Sequence, residues 1–383
     1  MARVLEINRI EQLAPFRQEW GDLWRGTPGA SFFQSLDWLE IYWRHFGEEQ
    51  KLRVLVVLGE DHPLGILPLV VRQEPTRVGR LRVLTFPLHA WGSFYGPVSP
   101  EPELTLAAGL THIRQTPRDW DLFELRWQGA PDTDPTLAER AMRSAGLPAF
   151  VTVWDHTALV EMNGTWPSYW SSRKGGWRRR FRHAEQQLAE QGEVSHVRYR
   201  PLGRPHDDGA PRWDLYDACE DLARRSWQGA ATDGTTLSHA SVREYLRETH
   251  EAAAAAGAVD LNLLLIDGSP VAFVYGYCHG GSVYGLRRGY DAAGCRGGAG
   301  NVLLAYTLRD SFARGDRLYD MGVGSLASKR SFLTRRLPIL RVSHVAPGAV
   351  RAQLVRLKRW WQSRHLPAST AVDRAQEDTA DTR

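Results

Sequence analysis

The residues with the most chemistry to offer lie between positions 290 and 330. The segment Tyr290-Asp291-Ala292-Ala293-Gly294-Cys295-Arg296-Gly297-Gly298-Ala299-Gly300-Asn301 closes an expected strand and opens a stretch with helical spacing. A strand that turns through glycines into a helix presents backbone N–H groups without intrahelical partners, at the positive end of the helix dipole. Glycines let an anion approach that backbone closely, and Arg296 adds a charge at the rim. Arg296, Gly297, Gly298, Ala299, Gly300 and Asn301 could therefore cradle a pyrophosphate; the alternative is a turn whose glycines serve geometry alone. The segment is not a dinucleotide fingerprint, because no strand–GxGxxG–helix unit opens the fold. It is not a P-loop, because no Gly-Lys-Ser/Thr follows. Further on, Asp320 ends a short expected strand, and Lys329 follows it. A carboxylate there could accept or orient the proton of an amine nucleophile. Lys329 could hold an oxygen on which negative charge develops, or grip an anionic acceptor. The two could equally form an ordinary ion pair. Tyr290 is a candidate acid for a leaving group.

Other chemistries are argued against by what is missing. No Ser-His-Asp or Cys-His arrangement can be assembled, and no metal is implied. Cys219, Cys278 and Cys295 show no CxxC spacing, which argues against a disulfide framework or zinc ribbon and fits a reducing cytoplasm.

Two basic segments stand out. Ser171–Arg182 carries Arg173, Lys174, Arg178, Arg179, Arg180 and Arg182 with no acidic residue. It could be a solvated amphipathic helix with Trp177, Phe181, Ala184 and Leu188 facing the core. It could be a surface for an anionic substrate, with Arg178 and Arg179 as its contacts, or an RNA contact, which would be salt-dependent. Near the C-terminus, Val350, Leu354, Leu357 and Trp361 share one face of an expected helix over 350–362, beside Arg351, Arg356, Lys358, Arg359, Arg364 and Trp360. This reads as a docked amphipathic helix or as a membrane-surface one.

These residues need a scaffold, and composition allows one. The chain has 383 residues, 43% apolar and 24% charged, as in ordinary globular proteins. Its length suggests two or three domains at roughly 100–200 residues each. The net charge is only +4, from 48 basic and 44 acidic residues, which disfavours a long polyanion such as tRNA against a small anionic acceptor. No uncharged apolar run is long enough for a membrane-spanning helix. The start, MARVLEINRIEQ, has no apolar core of a secretory signal.

Periodicity predicts two opening helices, from Ile10 to Trp24 and from Trp38 to Phe46, with Asp37 as N-cap of the second. Strands are expected at Leu52–Leu58, Pro63–Val71, Leu81–Phe86 and Leu122–Trp127, with helices over 102–115 and 133–145 and two short strands near 149–160. After a helix running to about Gln191, the second half repeats the theme. It has a strand at Val194–Tyr199, helices near 213–227 and 239–256, and strands at Leu261–Ile266, Val271–Tyr277 and Ser282–Tyr290. A helix to about Arg314 follows, then strands at Arg317–Met321 and near 338–345. The stretch VVLGEDHPLGILPL (56–69) resembles LLIDGSPVAFVYG (264–276), with Pro63 and Pro270 in matching turns. That points to two copies of one α/β module, the boundaries expected at 1–160 and 161–346, followed by the helix over 347–364 and a disordered tail over 365–383.

The meander followed by Gly298-Ala299-Gly300 and a helix resembles the acyl-CoA-binding motif of GNAT acyltransferases, with Cys295 where that motif prefers Arg and Arg296 next to it. Phe33-Gln34-Ser35-Leu36-Asp37-Trp38, Trp177–Leu188, Arg225-Ser226-Trp227-Gln228-Gly229 and Tyr319-Asp320-Met321-Gly322-Val323-Gly324 with Lys329-Arg330 resemble the CelD/BcsL-type, FemABX-like tandem-GNAT acyltransferases over roughly residues 5–346. Ser325 and Ser328 depart from the acidic and aromatic residues usual there. The resemblance implies two tandem GNAT-like domains, each a mixed central sheet flanked by helices. It implies a cytoplasmic site in the second half where neighbouring strands splay, and acyl transfer from acyl-CoA to an amine without metal. The acceptor would be a small molecule, such as a sugar or envelope precursor, held between the halves with Trp38, Tyr95 and Trp227 as walls. Two alternatives remain: an aminoacyl-tRNA-dependent transferase of the FemABX kind, and a catalytically degenerate pair serving as a scaffold in polysaccharide biosynthesis. The acyl chain and the oligomeric state are not legible.

Overall fold

The computed structural model describes residues 3–60, 62–131, 133–226, 229, 234–291 and 298–365. They form two compact units. One is built from the described residues up to His156 and from Leu337 onward, the other from Thr157–Arg336.

The first unit begins with β1 (Arg3–Ile7), a 3-10 turn at Ile10–Phe16, α1 (Arg17–Gly26), a second 3-10 turn at Phe32–Gln34 and α2 (Leu36–Phe46). Then come β2 (Gln50–Leu58), β3 (Pro63–Thr76), β4 (Gly79–Thr85), α3 (Pro102–Gln115), β5 (Leu122–Gln128) and α4 (Leu137–Ser144). The first predicted helix is split because Pro15 has no N–H to continue a helical ladder. The second is capped by Ser35, not Asp37: the Ser35 hydroxyl accepts from the Trp38 N–H at 3.2 Å. In β2, Leu52 to Val57 are buried without alternation, the pattern of a strand covered on both faces. The strands run in the order β1-β2-β3-β4-β5, antiparallel except for a parallel β4–β5 pair.

The chain crosses into the second unit within β6 (Phe150–Glu161), one long strand where two short ones were expected. There follow α5 (Trp166–Ser171), α6 (Gly175–Ala189), β7 (Val194–Tyr199), α7 (Trp213–Arg225), α8 (Arg243–Ala255), β8 (Val259–Ile266), β9 (Ser269–His279), β10 (Ser282–Tyr290), α9 (Ala299–Arg314), β11 (Leu318–Asp320) and the one-turn α10 (Leu326–Lys329). It returns within β12 (Arg335–Val345), and the last described element is α11 (Val350–His365). The order β7-β8-β9-β10-β11 repeats that of the first unit, again antiparallel except for a parallel last pair. The repeated hairpins even share a flaw: the register slips at Val57/Leu58 opposite Pro63 and at Leu264/Leu265 opposite Pro270.

The sixth strand of each unit is exchanged along the chain. β12, from the end of the sequence, pairs with β5, and the last residues of β6 pair with β11. The core of the second unit gathers Val302, Leu303 and Leu308 of α9 with Leu264, Ala272, Val274 and Val283 of the sheet. Phe181 and Leu188 of α6 join it, with Trp177 and Ala184 packed against it, which is the face predicted from spacing.

Candidate active site in the second unit

The site begins with an opening between two parallel strands. β10 and β11 pair through Ser282↔Leu318, Val283↔Tyr319 and Tyr284↔Asp320, and there β11 ends. β10 continues to Tyr290 along β9 alone, with a bulge between Gly285 and Arg287. Two glycines permit the parting. A Cβ on Gly322 (φ +75°) would lie 2.7 Å from the Gly285 carbonyl oxygen, and one on Gly285 would lie 3.1 Å from that of Asp320. The backbone thus hugs β10 at Asp320 and then turns away.

Asp320 sits at the apex, 3% exposed. Its Oδ1 accepts from the Thr157 hydroxyl and from the Gly322 N–H at 2.8 Å, while no described residue donates to Oδ2. Burial raises its pKa, against the opposing pull of the Thr157 hydroxyl, the Gly322 amide and the Lys329 charge. Lys329 is buried too, and its ammonium donates to the carbonyls of Gly322 (2.7 Å) and Val323 (2.6 Å). It staples the turn after Asp320 and lends that carboxylate a positive neighbour. Tyr290 is exposed at the end of β10, its ring against the first turn of α9: a Cβ on Gly300 would meet it at 3.3 Å.

Sequence reasoning missed Arg288. Two residues before Tyr290 on the same strand, it shares that residue's face. Its guanidinium donates to the Ser328 hydroxyl at 2.9 Å, reaching from β10 to α10. Burial lowers its pKa, with the Tyr319 and Tyr290 phenols opposing. Neighbouring Arg287 looked equivalent in sequence, but it donates instead to the Thr235 and Leu286 carbonyls. Strand parity separates the two, and the bulge before them hid that parity.

The helix start has the predicted form. Gly298 stands at φ +75° as the N-cap of α9, with open space where a Cβ would stand, and no described side chain caps the helix. The first amide with an internal partner is that of Asn301, bonded to the Gly298 carbonyl at 2.9 Å. Among the described residues none accepts from the amides of Ala299 and Gly300, and the first turn holds no acidic residue to compete for them. The predicted Arg296 and Gly297 lie outside the described residues, as does Trp227.

The remaining predicted residues stand on other elements. Trp38 and Tyr95 are core residues of the first unit: the Trp38 ring stacks on Tyr42 (5.3 Å) and meets Phe33 edge-on (5.6 Å), and Tyr95 packs on Phe86 (4.9 Å). Arg178 and Arg179 lie on α6, Arg179 exposed and Arg178 with its Nε buried and without a hydrogen-bond partner among the described residues.

The first unit has the same topology but a different interior at the same place. Its parallel ladder ends at Thr85↔Glu124, the counterpart of Tyr284↔Asp320. Glu124 is fully buried and bonds Arg126 (2.5 Å), Ser343 (3.2 Å) and Arg359, with Arg341 nearby. Burial would raise its pKa, yet Arg126, Arg359 and Arg341 bring it down to about 2. The residues after β4 are apolar and buried, among them Phe86, Leu88, Trp91, Phe94 and Tyr95, and the Tyr95 N–H bonds the Trp127 carbonyl at 3.2 Å. The following helix, α3, opens with Pro102 and Glu103. An acidic first turn repels anions.

Comparison with known proteins agrees with this asymmetry. Residues 176–330 match the family model described as an acetyltransferase (GNAT) domain. The chain is similar in structure to FemX (12% identity, 93% of this chain and 99% of that one, TM-score 0.58). It is similar also to the C-terminal domain of a putative lysylphosphatidylglycerol synthetase from Agrobacterium fabrum (14%, 90% and 95%, TM-score 0.56). A conserved protein of unknown function from Bacteroides thetaiotaomicron VPI-5482 is a further neighbour (11%, 90% and 100%, TM-score 0.51). At such identities the likeness is one of fold. No curated protein matches the chain. The fold is GNAT-like, as the resemblance implied.

Proposed function

We propose that this chain is an N-acyltransferase whose second unit takes the acyl group from acyl-CoA and passes it to an amine. The observation that carries the reading is the parting of β10 and β11 at a buried carboxylate, together with a helix that opens on Gly298 with amides from which no described residue accepts. The amides of Ala299 and Gly300 suit a pyrophosphate, and Arg296 would add charge to it. Acyl-CoA supplies an activated carbonyl on a sulfur that leaves readily. The chain's own groups do the rest. Asp320, with Oδ2 uncommitted and Lys329 beside it, receives the proton that the acceptor amine sheds. Tyr290, at the mouth, donates a proton to the departing sulfur. Arg288 orients a carbonyl or an anionic acceptor across the opening. Lys329 holds the turn that aims Asp320.

A CelD/BcsL-like role on a sugar or envelope precursor in the cytoplasm is the finer form of this reading, with the α6 arginines as contacts for an anionic acceptor. The aminoacyl-tRNA donor is the competing reading, favoured by the basic face of α6. Thermal unfolding separates them: acetyl-CoA raises the melting temperature under the first reading, whereas uncharged tRNA raises it under the second. No shift with either ligand would leave the scaffold reading and defeat the proposal.

A further inference from the structure

The C-terminal helix α11 is amphipathic in an unusual sense. It docks on the first unit through small residues: Ala352 is 1% exposed and Val355 packs with it against Leu81, Val83, Leu122 and Val345. On the same side, Arg359 reaches the buried carboxylate of Glu124 and Arg356 lies 3.9 Å over the Phe150 ring. At about 100° per residue, Val350, Leu354, Leu357 and Trp361 fall on the opposite side. They are 73%, 49%, 59% and 55% exposed. The large apolar residues thus face solvent while the small ones face the protein. An exposed apolar stripe of this kind marks an interaction surface.

Its charge says what it meets. Residues 350–365 include five basic residues, Arg351, Arg356, Lys358, Arg359 and Arg364, and no acidic one. Lys358 and Arg351 flank the stripe and are exposed. Two such helices laid face to face would bring like charges together with no carboxylate between them, which disfavours a second copy of this chain. Leu and Trp on one face with Lys and Arg beside them match a bilayer interface, where apolar groups enter the acyl boundary and cations meet anionic headgroups. We propose that α11 is a peripheral docking helix for an anionic lipid surface, lying in the plane of the interface with Val350, Leu354, Leu357 and Trp361 inserted. The firm seating of its other face, through Ala352 and the Arg359–Glu124 bond, holds the enzyme against that surface in one orientation. This inference is independent of the acyl-transfer chemistry.

Vesicle flotation tests it, using the full chain with vesicles of equal parts phosphatidylserine and phosphatidylcholine, or of phosphatidylcholine alone. The wild type is expected to float with the anionic vesicles and to release at high salt. Leu354→Glu/Leu357→Glu, at exposed positions that leave the docking face intact, should bind at least about tenfold more weakly. Lys358→Glu, which keeps the stripe, should weaken binding to a smaller extent. Sedimentation velocity without vesicles provides the other arm. Failure of the wild type to float, or flotation undiminished in the double variant, would overturn the proposal. So would self-association of the wild type that the double variant abolishes, since the stripe would then serve a second copy.

Discussion

Two carboxylates at matching positions, Asp320 and Glu124, show how environment assigns a role. Each closes the parallel ladder of its unit, and each is buried. Glu124 is committed to arginines and locked as an anion with a pKa near 2. No described residue donates to the second oxygen of Asp320, and burial raises its pKa. Asp320→Asn should therefore lower kcat by about 10²-fold or more, with the acetyl-CoA Kd nearly unchanged, in steady-state kinetics and titration. The wild-type kcat/KM should fall with falling pH through a pKa above the ordinary Asp range, because the base works only when ionised, and this limb should vanish in the variant. Glu124→Gln leaves Arg126, Arg341 and Arg359 without their carboxylate and should cost about 3 kcal/mol in denaturant unfolding, with acetyl-CoA affinity intact. Asp320 and Lys329 stood out as candidates in the sequence because Asp320 ends an expected strand beside the glycine-opened helix and Lys329 follows it. The hydrogen bonds of Lys329 to backbone carbonyls did not, since nothing in its spacing distinguishes a staple from a charge held for substrate.

Among the elements, the strands and helices of the second unit were largely legible, because its apolar runs are long and its turns carry Gly. β7 and β10 lie where periodicity placed them, and α9 starts at the predicted glycines. The ends of β6 and the capping of α2 were not legible, since both depend on pairing and hydroxyl geometry that a one-dimensional pattern does not contain. Element docking also sets acid sensitivity. His250 on α8 is buried against Tyr275, with its Nε2 2.5 Å from the Pro211 carbonyl oxygen, and burial holds its pKa down to about 4. Its folded pKa lies below the unfolded value near 6.5, so the unfolded chain binds the proton first. Stability should be lost as pH falls from about 6.5 to 4, by up to roughly 3 kcal/mol from this group. Glu124 adds a second loss below about 4.5, as pH falls toward its depressed folded pKa near 2. Denaturant midpoints measured across that range check this, and His250→Gln should flatten the upper part of the fall.

At the level of the whole molecule, the chain holds two copies of one module, and they differ in what surrounds the end of the parallel ladder. The weak repeat around Pro63 and Pro270 marked equivalent hairpins with the same register slip. What sequence alone could not tell is that Phe86, Leu88, Trp91, Phe94 and Tyr95, which follow β4, are all buried in the first copy. Aromatic residues after a strand read equally as cleft walls or as core, and only packing decides. Under the proposed function, that asymmetry predicts one acyl-CoA per chain, on the amides that Gly298 opens. Calorimetric titration of acetyl-CoA into the wild type and into Gly298→Asp checks both halves of that statement. A stoichiometry of about one is expected for the wild type. A folded Gly298→Asp protein should lose measurable binding, because its new carboxylate stands where the pyrophosphate belongs. Two sites per chain, or equal affinity in the variant, would contradict it.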